Sequence, residues 1–159
     1  MARPLSLCTF RLADHLVGFP ALRIQEVVRV PRMTPVPLAP PAVLGLINLR
    51  GQVVAAIDLR RRLDLPPAVL PGPETDAGGG VEGGVCVVVE TEDGLASLLV
   101  DAIGDVLEVD ESRVLPLPAT LRGAPRALAT GVLPLDEDLV LILDVDRAGV
   151  MPSGSGAGG

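Results

Sequence analysis

The chain has 159 residues, a net charge of −7 at neutral pH and only two aromatic residues, both phenylalanine. A nucleic-acid-binding role is disfavoured, because phosphate neutralisation and base stacking both lack the residues that they need. The length suits one domain with a sizeable aliphatic core. With 16 prolines and 18 glycines, the composition favours short strands and many turns over long helices.

Cysteine and histidine usage argues against a metal centre or a disulfide framework. Cys8 and Cys86 stand alone in apolar runs, and His15 is the single histidine. We expect two free thiols in a reducing compartment, no metal and no cofactor. Arg11 and Asp14 interrupt the first apolar stretch, and no apolar run reaches the ~20 residues that span a bilayer, which predicts a cytoplasmic protein without direct membrane insertion.

In chain order, apolar runs of strand length alternate with short turns. LSLCTFRL, HLVGFP, VLGLINL and QVVAAIDL lie in the first half, and VCVVVETE, GLASLLV, GVLPL and LVLILDV lie in the second. Two pairs of runs are typical of β-hairpins, with Arg50-Gly51 at one tip and Asp136-Glu137-Asp138 at the other. The segment DLRRRL predicts a short helix capped by Asp58, with a solvated arginine face.

The two halves also resemble each other. LGLINLRGQVVAAIDLRR at 44–61 aligns with TGVLPLDEDLVLILDVDR at 130–147, so that Gly45 matches Gly131. Upstream, ALRIQEVVRV aligns with VDAIGDVLEV. This pattern indicates an internal repeat, although chance similarity among strands rich in valine, leucine and aspartate is the alternative.

The repeat predicts one all-β domain with minor helix, built from two small barrels packed together. The domain covers 5–149, and its repeats cover about 5–63 and 85–149. Between them, 64–84 is rich in proline and glycine and is predicted to be a linker or loop. The last residues, 150–159, are predicted to form a flexible tail.

Asp58 and Asp144 are the strongest catalytic candidates, because each follows an apolar strand and the repeat relates them. Two such carboxylates sharing a proton would make an acid hydrolase. However, Leu59-Arg60 and Val145-Asp146 follow them, where such enzymes have a small hydroxyl residue and glycine. The other interpretation is that Asp58 caps a helix and Asp144 ends a strand.

A family resemblance rests on VLGLINLRGQVVAAIDLRRRL, preceded by IQEVVRVPRMTPVPLAPPAVLG and followed by LLVDAIGDVLEV and ATGVLPLDEDLVLILDVDR. These motifs, in this order, resemble the CheW family of chemotaxis coupling proteins over nearly the whole chain. The resemblance implies two intertwined, five-stranded SH3-like barrels. It also implies a non-catalytic adaptor that couples chemoreceptors to the histidine kinase CheA.

The resemblance further implies the partners. They are the SH3-like regulatory domain of CheA, the cytoplasmic tip of a chemoreceptor and other CheW-like domains in a ring, all within receptor arrays at the membrane. An adaptor of a non-flagellar chemosensory cluster, which controls surface motility or gene expression, would share the same sequence features.

By position, Arg50 in Asn48-Leu49-Arg50-Gly51 matches the arginine that the family uses toward receptors and arrays, and Glu26 matches an acidic residue near it. We expect these two side chains to form a salt bridge that fixes the direction of Arg50 and contributes only ~0–1 kcal/mol to stability. Asn48 and Gly51 are assigned to the shape of the turn.

Five apolar residues are candidates for a groove that accepts the helical receptor tip, with ordinary core packing as the alternative for each. They are Val27, Val28, Val100, Ile103 and Val106.

Overall fold

The computed structural model describes residues 3–65 and 84–149. Strands dominate this part of the chain and form two five-stranded sheets, accompanied by three short helices. The prediction of an all-β fold with minor helix is therefore confirmed. Most of the predicted linker 64–84 and the whole of the tail 150–159 lie outside the described residues.

The elements follow the runs identified in the sequence. The first half contains β1 (Pro4–Leu12), β2 (His15–Pro20), β3 (Ile24–Arg29), β4 (Val43–Leu49), β5 (Gln52–Asp58) and α1 (Leu59–Arg62). The second half contains β6 (Val85–Thr91), β7 (Gly94–Val100), β8 (Ala102–Asp110), α2 (Gly123–Leu128), β9 (Ala129–Pro134), β10 (Leu139–Leu143) and α3 (Val145–Gly149). Short 3₁₀ turns at Ala21–Arg23 and Glu111–Arg113 flank β3 and β8.

Each sheet takes strands from both halves of the chain. Barrel A has the strand order β8-β1-β2-β10-β9, and barrel B has the order β3-β6-β7-β5-β4. The first hairpin of each half, β1–β2 or β6–β7, is thus built into the barrel of the other half. Replacing each strand by its counterpart in the repeat converts one order into the other, so the internal repeat is also a repeat of topology.

The exchanged hairpins are joined to their barrels by short parallel pairings at equivalent positions. Gly18 of β2 pairs with Ile142 of β10, and Ser97 of β7 pairs with Ala56 of β5. Because these partners come from opposite halves, neither half can close a five-stranded barrel with its own strands alone.

The strands place some side chains in the interior of their own barrel and others in a central core between the two barrels. In β10, Val140 and Ile142 pack inside barrel A, whereas Leu143 packs in the central core. Successive strand residues point to opposite faces, and here both faces are covered. This explains why runs such as LVLILDV are apolar throughout. The two phenylalanines, Phe10 and Phe19, meet in the central core with ring centroids 6.0 Å apart.

An ion pair at Asp101 connects segments of both barrels. The Asp101 carboxylate, at the β7–β8 junction, accepts hydrogen bonds from the backbone N–H of Ala13 at 2.7 Å and from Nε of Arg60 at 3.0 Å. Ala13 lies in the β1–β2 turn of barrel A, and Arg60 lies in α1, which follows barrel B. The pair therefore fixes the exchanged β1–β2 hairpin against the other barrel.

The second half of the chain has an equivalent ion pair, but there the acidic residue lies on the helix and the basic residue lies outside it. Asp146 of α3 accepts hydrogen bonds from the N–H of Glu92, in the β6–β7 turn, at 3.0 Å and from Arg23 at 2.5 Å. The helix thus supplies the acid here, whereas α1 supplies the base. Both exchanged hairpins are held at the turn by one carboxylate and one guanidinium.

The arginines of α1 differ from the sequence expectation. A solvated face is wrong for Arg60, whose side chain is 16% exposed in its pair with Asp101. It is also wrong for Arg62, which donates hydrogen bonds to the carbonyl oxygens of Arg147 at 2.5 Å and Ala148 at 3.5 Å. These contacts join α1 to α3 and connect the ends of the two halves.

The two carboxylates make stability depend on pH. Burial raises the pKa of Asp101, but the hydrogen bonds from Arg60 and Ala13 outweigh it and the pKa lies below its ordinary value. The hydrogen bond from Arg23 lowers the pKa of Asp146. A carboxyl whose folded pKa lies below its unfolded value of ~3.9 stabilises the fold above that pH, and this stability is lost as pH falls through the folded pKa.

We therefore expect Asp101→Asn to lower the free energy of unfolding at pH 7 by about 1–2 kcal/mol. The deficit should shrink below pH ~4 and vanish once the wild-type carboxyl is protonated. Urea unfolding at pH 7 and at several acidic pH values measures both, with Asp93→Asn on an exposed turn as the control. A deficit that persists unchanged in acid would contradict the assignment.

Candidate functional site

The β4–β5 hairpin ends in the two-residue turn Arg50-Gly51, closed by the pairing of Leu49 with Gln52. Both turn residues have positive φ, 54° at Arg50 and 86° at Gly51. Two successive residues of this kind define a type I′ turn, whose twist matches that of the strands. The side-chain oxygen of Asn48 accepts a hydrogen bond from the N–H of Gly51 at 2.9 Å, and this contact stabilises the turn.

Arg50 is an unusual residue for its position. The left-handed conformation costs a non-glycine residue about 1 kcal/mol, and turns of this type prefer asparagine, aspartate or glycine there. The arginine side chain is 77% exposed, so packing does not repay this cost. The costly conformation and the exposed charge together support the hypothesis that the Arg50 side chain has a functional role.

Glu26 sets the direction of the arginine. Its carboxylate lies 2.9 Å from Nη2 of Arg50, and the Glu26 side chain is 21% exposed. Glu26 belongs to β3 and Arg50 to the β4–β5 turn, so the pair connects the two strands at opposite ends of the sheet order in barrel B. A pair with one partner so exposed adds at most ~1 kcal/mol to stability, and its main effect is to orient the guanidinium.

A neighbouring apolar residue was missed in the sequence. Val53 is 66% exposed, although it lies in an apolar run three residues after Arg50. Val54 and Ala56 are buried, and the alternation of a strand then turns Val53 outward. This alternation of buried and exposed residues in β5 is the sequence signal that would have identified Val53 as exposed. The β4–β5 hairpin thus carries an exposed cation at its tip and an exposed apolar side chain on β5, a combination that is typical of protein interfaces.

Two of the predicted groove residues are exposed on β8, an outer strand of barrel A. Ile103 is 59% exposed and Val106 is 66% exposed. Between them a β-bulge places two residues of β8 opposite Thr9 of β1, and the Thr9 hydroxyl donates a hydrogen bond to the Asp105 carbonyl oxygen at 2.7 Å. The bulge interrupts the alternation of the strand, and both apolar side chains face solvent.

The other three predicted groove residues contribute to packing. Val100 is 3% exposed and belongs to the central core, which is at odds with a docking role for its side chain. Val27 and Val28 are half-buried on β3. Val27 packs against the central core and Val28 against the interior of barrel B. The five residues therefore do not form one exposed set.

Asp58 and Asp144 each begin a helix. Asp58 accepts a hydrogen bond from the N–H of Arg60 at 3.0 Å, and Asp144 accepts one from the N–H of Asp146 at 3.0 Å. Burial raises the pKa of Asp58, against the opposing effect of its N–H donors and of Arg61. A hydrolase would need both carboxylates at one proton, whereas each of these serves the start of its own helix.

The two cysteine thiols lie in surroundings that do not activate them. Cys8 and Cys86 are free, and burial raises the pKa of both thiols, so neither is an activated thiolate. Within 3–65 and 84–149, no cluster of acidic, cysteine or histidine side chains is arranged to hold a metal ion. No helix in that part of the chain is long and apolar enough to cross a bilayer.

Comparison with known protein families and sequences gives matches to one family. A family model described as a CheW-like domain matches residues 6–149. The chain is 31% identical over 147 residues to the chemotaxis protein CheW of Rhizobium meliloti, covering 92% of this chain and 87% of the relative. It is 28% identical over 141 residues to the CheW of Treponema pallidum, covering 89% and 79%.

A solved structure supports the same relationship. The scaffolding protein TtCheW from Thermoanaerobacter tengcongensis superimposes with a TM-score of 0.78 at 26% identity, covering 93% of this chain and 89% of that one.

The strain at Arg50 can be measured with two substitutions. Arg50→Gly and Arg50→Ala both remove the salt bridge to Glu26, but only glycine relieves the left-handed conformation. We expect the glycine variant to exceed the alanine variant in free energy of unfolding by about 1 kcal/mol. Chemical denaturation of both variants tests this, and an alanine variant that is equally stable would show that the turn is unstrained.

Proposed function

The chain belongs to the CheW-like domain family of non-catalytic scaffold proteins in chemotaxis, and on that premise we propose that it couples chemoreceptors to the histidine kinase CheA. The observation that carries this proposal is the Arg50 hairpin, where a strained and exposed arginine is oriented by Glu26 and the exposed Val53 follows on β5. Such a residue has no structural reason to be arginine.

A coupling protein needs more than one docking surface, and two surfaces of different chemistry support the proposal. The Arg50 hairpin belongs to barrel B, and the exposed pair Ile103 and Val106 belongs to barrel A. We assign the apolar pair to the helical tip of the receptor, because an amphipathic helix binds through spaced apolar contacts.

The ends of the two barrels differ in charge, which supports end-to-end assembly with different neighbours. The β4–β5 tip carries Arg50, whereas the equivalent β9–β10 tip carries Asp136, Glu137 and Asp138. Complementary charges steer partners and exclude wrong ones. We propose that one end docks the SH3-like regulatory domain of CheA, that the other docks a further SH3-like domain in a ring, and that these contacts recruit the protein to receptor arrays at the membrane.

Charge reversal at Arg50 tests the docking role. In a pull-down with CheA and a receptor cytoplasmic fragment from the same organism, we expect Arg50→Glu to reduce retention of at least one partner by about ten-fold or more. The free energy of unfolding should change by no more than ~0.5–1 kcal/mol, because the residue is exposed. Arg3→Glu, an exposed arginine elsewhere, is the matched control.

Two results would oppose the proposal. Undiminished capture of both partners by the Arg50→Glu protein would show that Arg50 does not belong to the docking surface. Failure of the wild-type protein to capture either partner at micromolar concentration would contradict the coupling function.

The apolar pair on β8 makes a separate prediction. The double variant Ile103→Ser, Val106→Ser should weaken binding of the receptor fragment by roughly ten-fold while keeping wild-type stability, because both side chains are exposed. Leu22→Ser, which changes a 98% exposed leucine in the 3₁₀ turn before β3, is the control. Calorimetric titration measures the affinities, and equal binding by all three proteins would place the receptor elsewhere.

A further inference from the structure

A cavity of about 530 Å³ opens beside the β9–β10 hairpin, between barrel A and the end of α1. Its wall is aliphatic and comes from several parts of the chain, including Val17, Leu63, Leu121, Leu135 and Leu141. The volume lies within the range of ligand sites in proteins, which are typically concave and mainly apolar. The acidic β9–β10 tip that lines it is one of the two ends assigned above to docking an SH3-like domain, so the inference that follows rests on that assignment and names the chemistry of what docks there.

The residues around this cavity are charged with one predominant sign. The lining includes Asp136, Glu137 and Asp138 from the β9–β10 turn and Asp14 from the β1–β2 turn, and all four are exposed. Arg11 approaches Asp138 at 3.5 Å and offsets one of the charges. Arg126 donates a hydrogen bond to the carbonyl oxygen of Leu121 on the α2 side of the cavity. The negative charge is therefore concentrated at the hairpin tips, where a bound group would meet carboxylates beside an apolar wall.

We propose that this cavity binds a segment of a partner protein in which a large aliphatic side chain is adjacent to arginine or lysine. The aliphatic side chain enters the cavity, where burial of apolar surface contributes about 25 cal/mol per Å². The basic side chain stays at the hairpin tips, where it remains hydrated and is attracted by the carboxylates. The apolar wall does not suit a buried cation, because burying a charge without a partner is costly.

The charge of the cavity also argues against the neighbouring stretch of this chain as its occupant. Segment 66–83 follows Leu65, which lines the cavity, but it contains three acidic residues and no basic residue. Its sequence therefore has the wrong sign for the acidic rim. A basic, apolar segment from another protein has the complementary sign.

The test uses the full-length protein and a defined probe. An end-capped peptide with Arg-Leu-Leu-Arg between glycine and serine is titrated into isotope-labelled protein and followed by NMR. We expect saturable shifts at Leu135, Leu139 and Leu141, with an affinity that falls as salt is added. A second peptide, with glutamate in place of arginine, should bind at least about ten-fold more weakly.

Matched variants locate the site. Leu139 lines the cavity and is 52% exposed, and Leu139→Ser should weaken the peptide by roughly five-fold. The pair Asp136→Asn, Glu137→Gln should weaken it by a similar factor and reduce its salt dependence. Leu22→Ser is the control, because Leu22 is 98% exposed and does not line the cavity, so that this variant should leave binding unchanged.

Several outcomes would overturn the proposal. The first is the absence of a saturable shift up to about 1 mM peptide, a concentration at which even weak binding would be detected. The others are equal binding of the acidic peptide and an equal loss of binding in Leu22→Ser. Sedimentation of the same samples tests whether the cavity is occupied by a second copy of this chain. A dimer that Leu139→Ser dissociates would make a second copy of this chain the occupant in place of a different protein.

Discussion

Two short parallel strand pairings, β2 with β10 and β5 with β7, are the contacts on which the rest of the structure depends. They hold the first hairpin of each half in the barrel of the other half. Because of this exchange, the central core is made by both barrels and contains both phenylalanines. It also brings Asp101 and Asp146 to the turns of the exchanged hairpins, where each meets an arginine. Neither barrel is consequently complete without strands from the other half.

The backbone is nearly symmetric, whereas the surface is not. Equivalent hairpins end in Arg50 on one barrel and in Asp136 on the other, and α1 carries a base where α3 carries an acid. Since the fold accepts either charge at these tips, the charges are free to serve recognition. A scaffold with two similar ends of opposite sign can bind different neighbours in a defined order. This asymmetry is the physical basis of the proposed adaptor role.

Local features could be predicted from the sequence, and long-range ones mostly could not. The two-residue hairpin at Arg50-Gly51 and the helix cap at Asp58 follow from short patterns, and both are present. The strand exchange was implied only by the family resemblance. Hydrophobic periodicity can indicate that a side chain is buried, but it does not indicate which barrel the side chain is buried in. For the same reason Val100 was assigned to a groove but lies in the core. The pairing of Arg60 with distant Asp101 leaves no local signal.

The proposed adaptor role requires one molecule to bind receptor and kinase at the same time. Sedimentation velocity of the chain mixed with a receptor cytoplasmic fragment and the regulatory domain of CheA tests this requirement. We expect a ternary species that is heavier than either binary complex and contains all three proteins, because the apolar pair on β8 and the Arg50 hairpin lie on different barrels. Displacement of the kinase domain by the receptor fragment, with only binary complexes at every ratio, would contradict it.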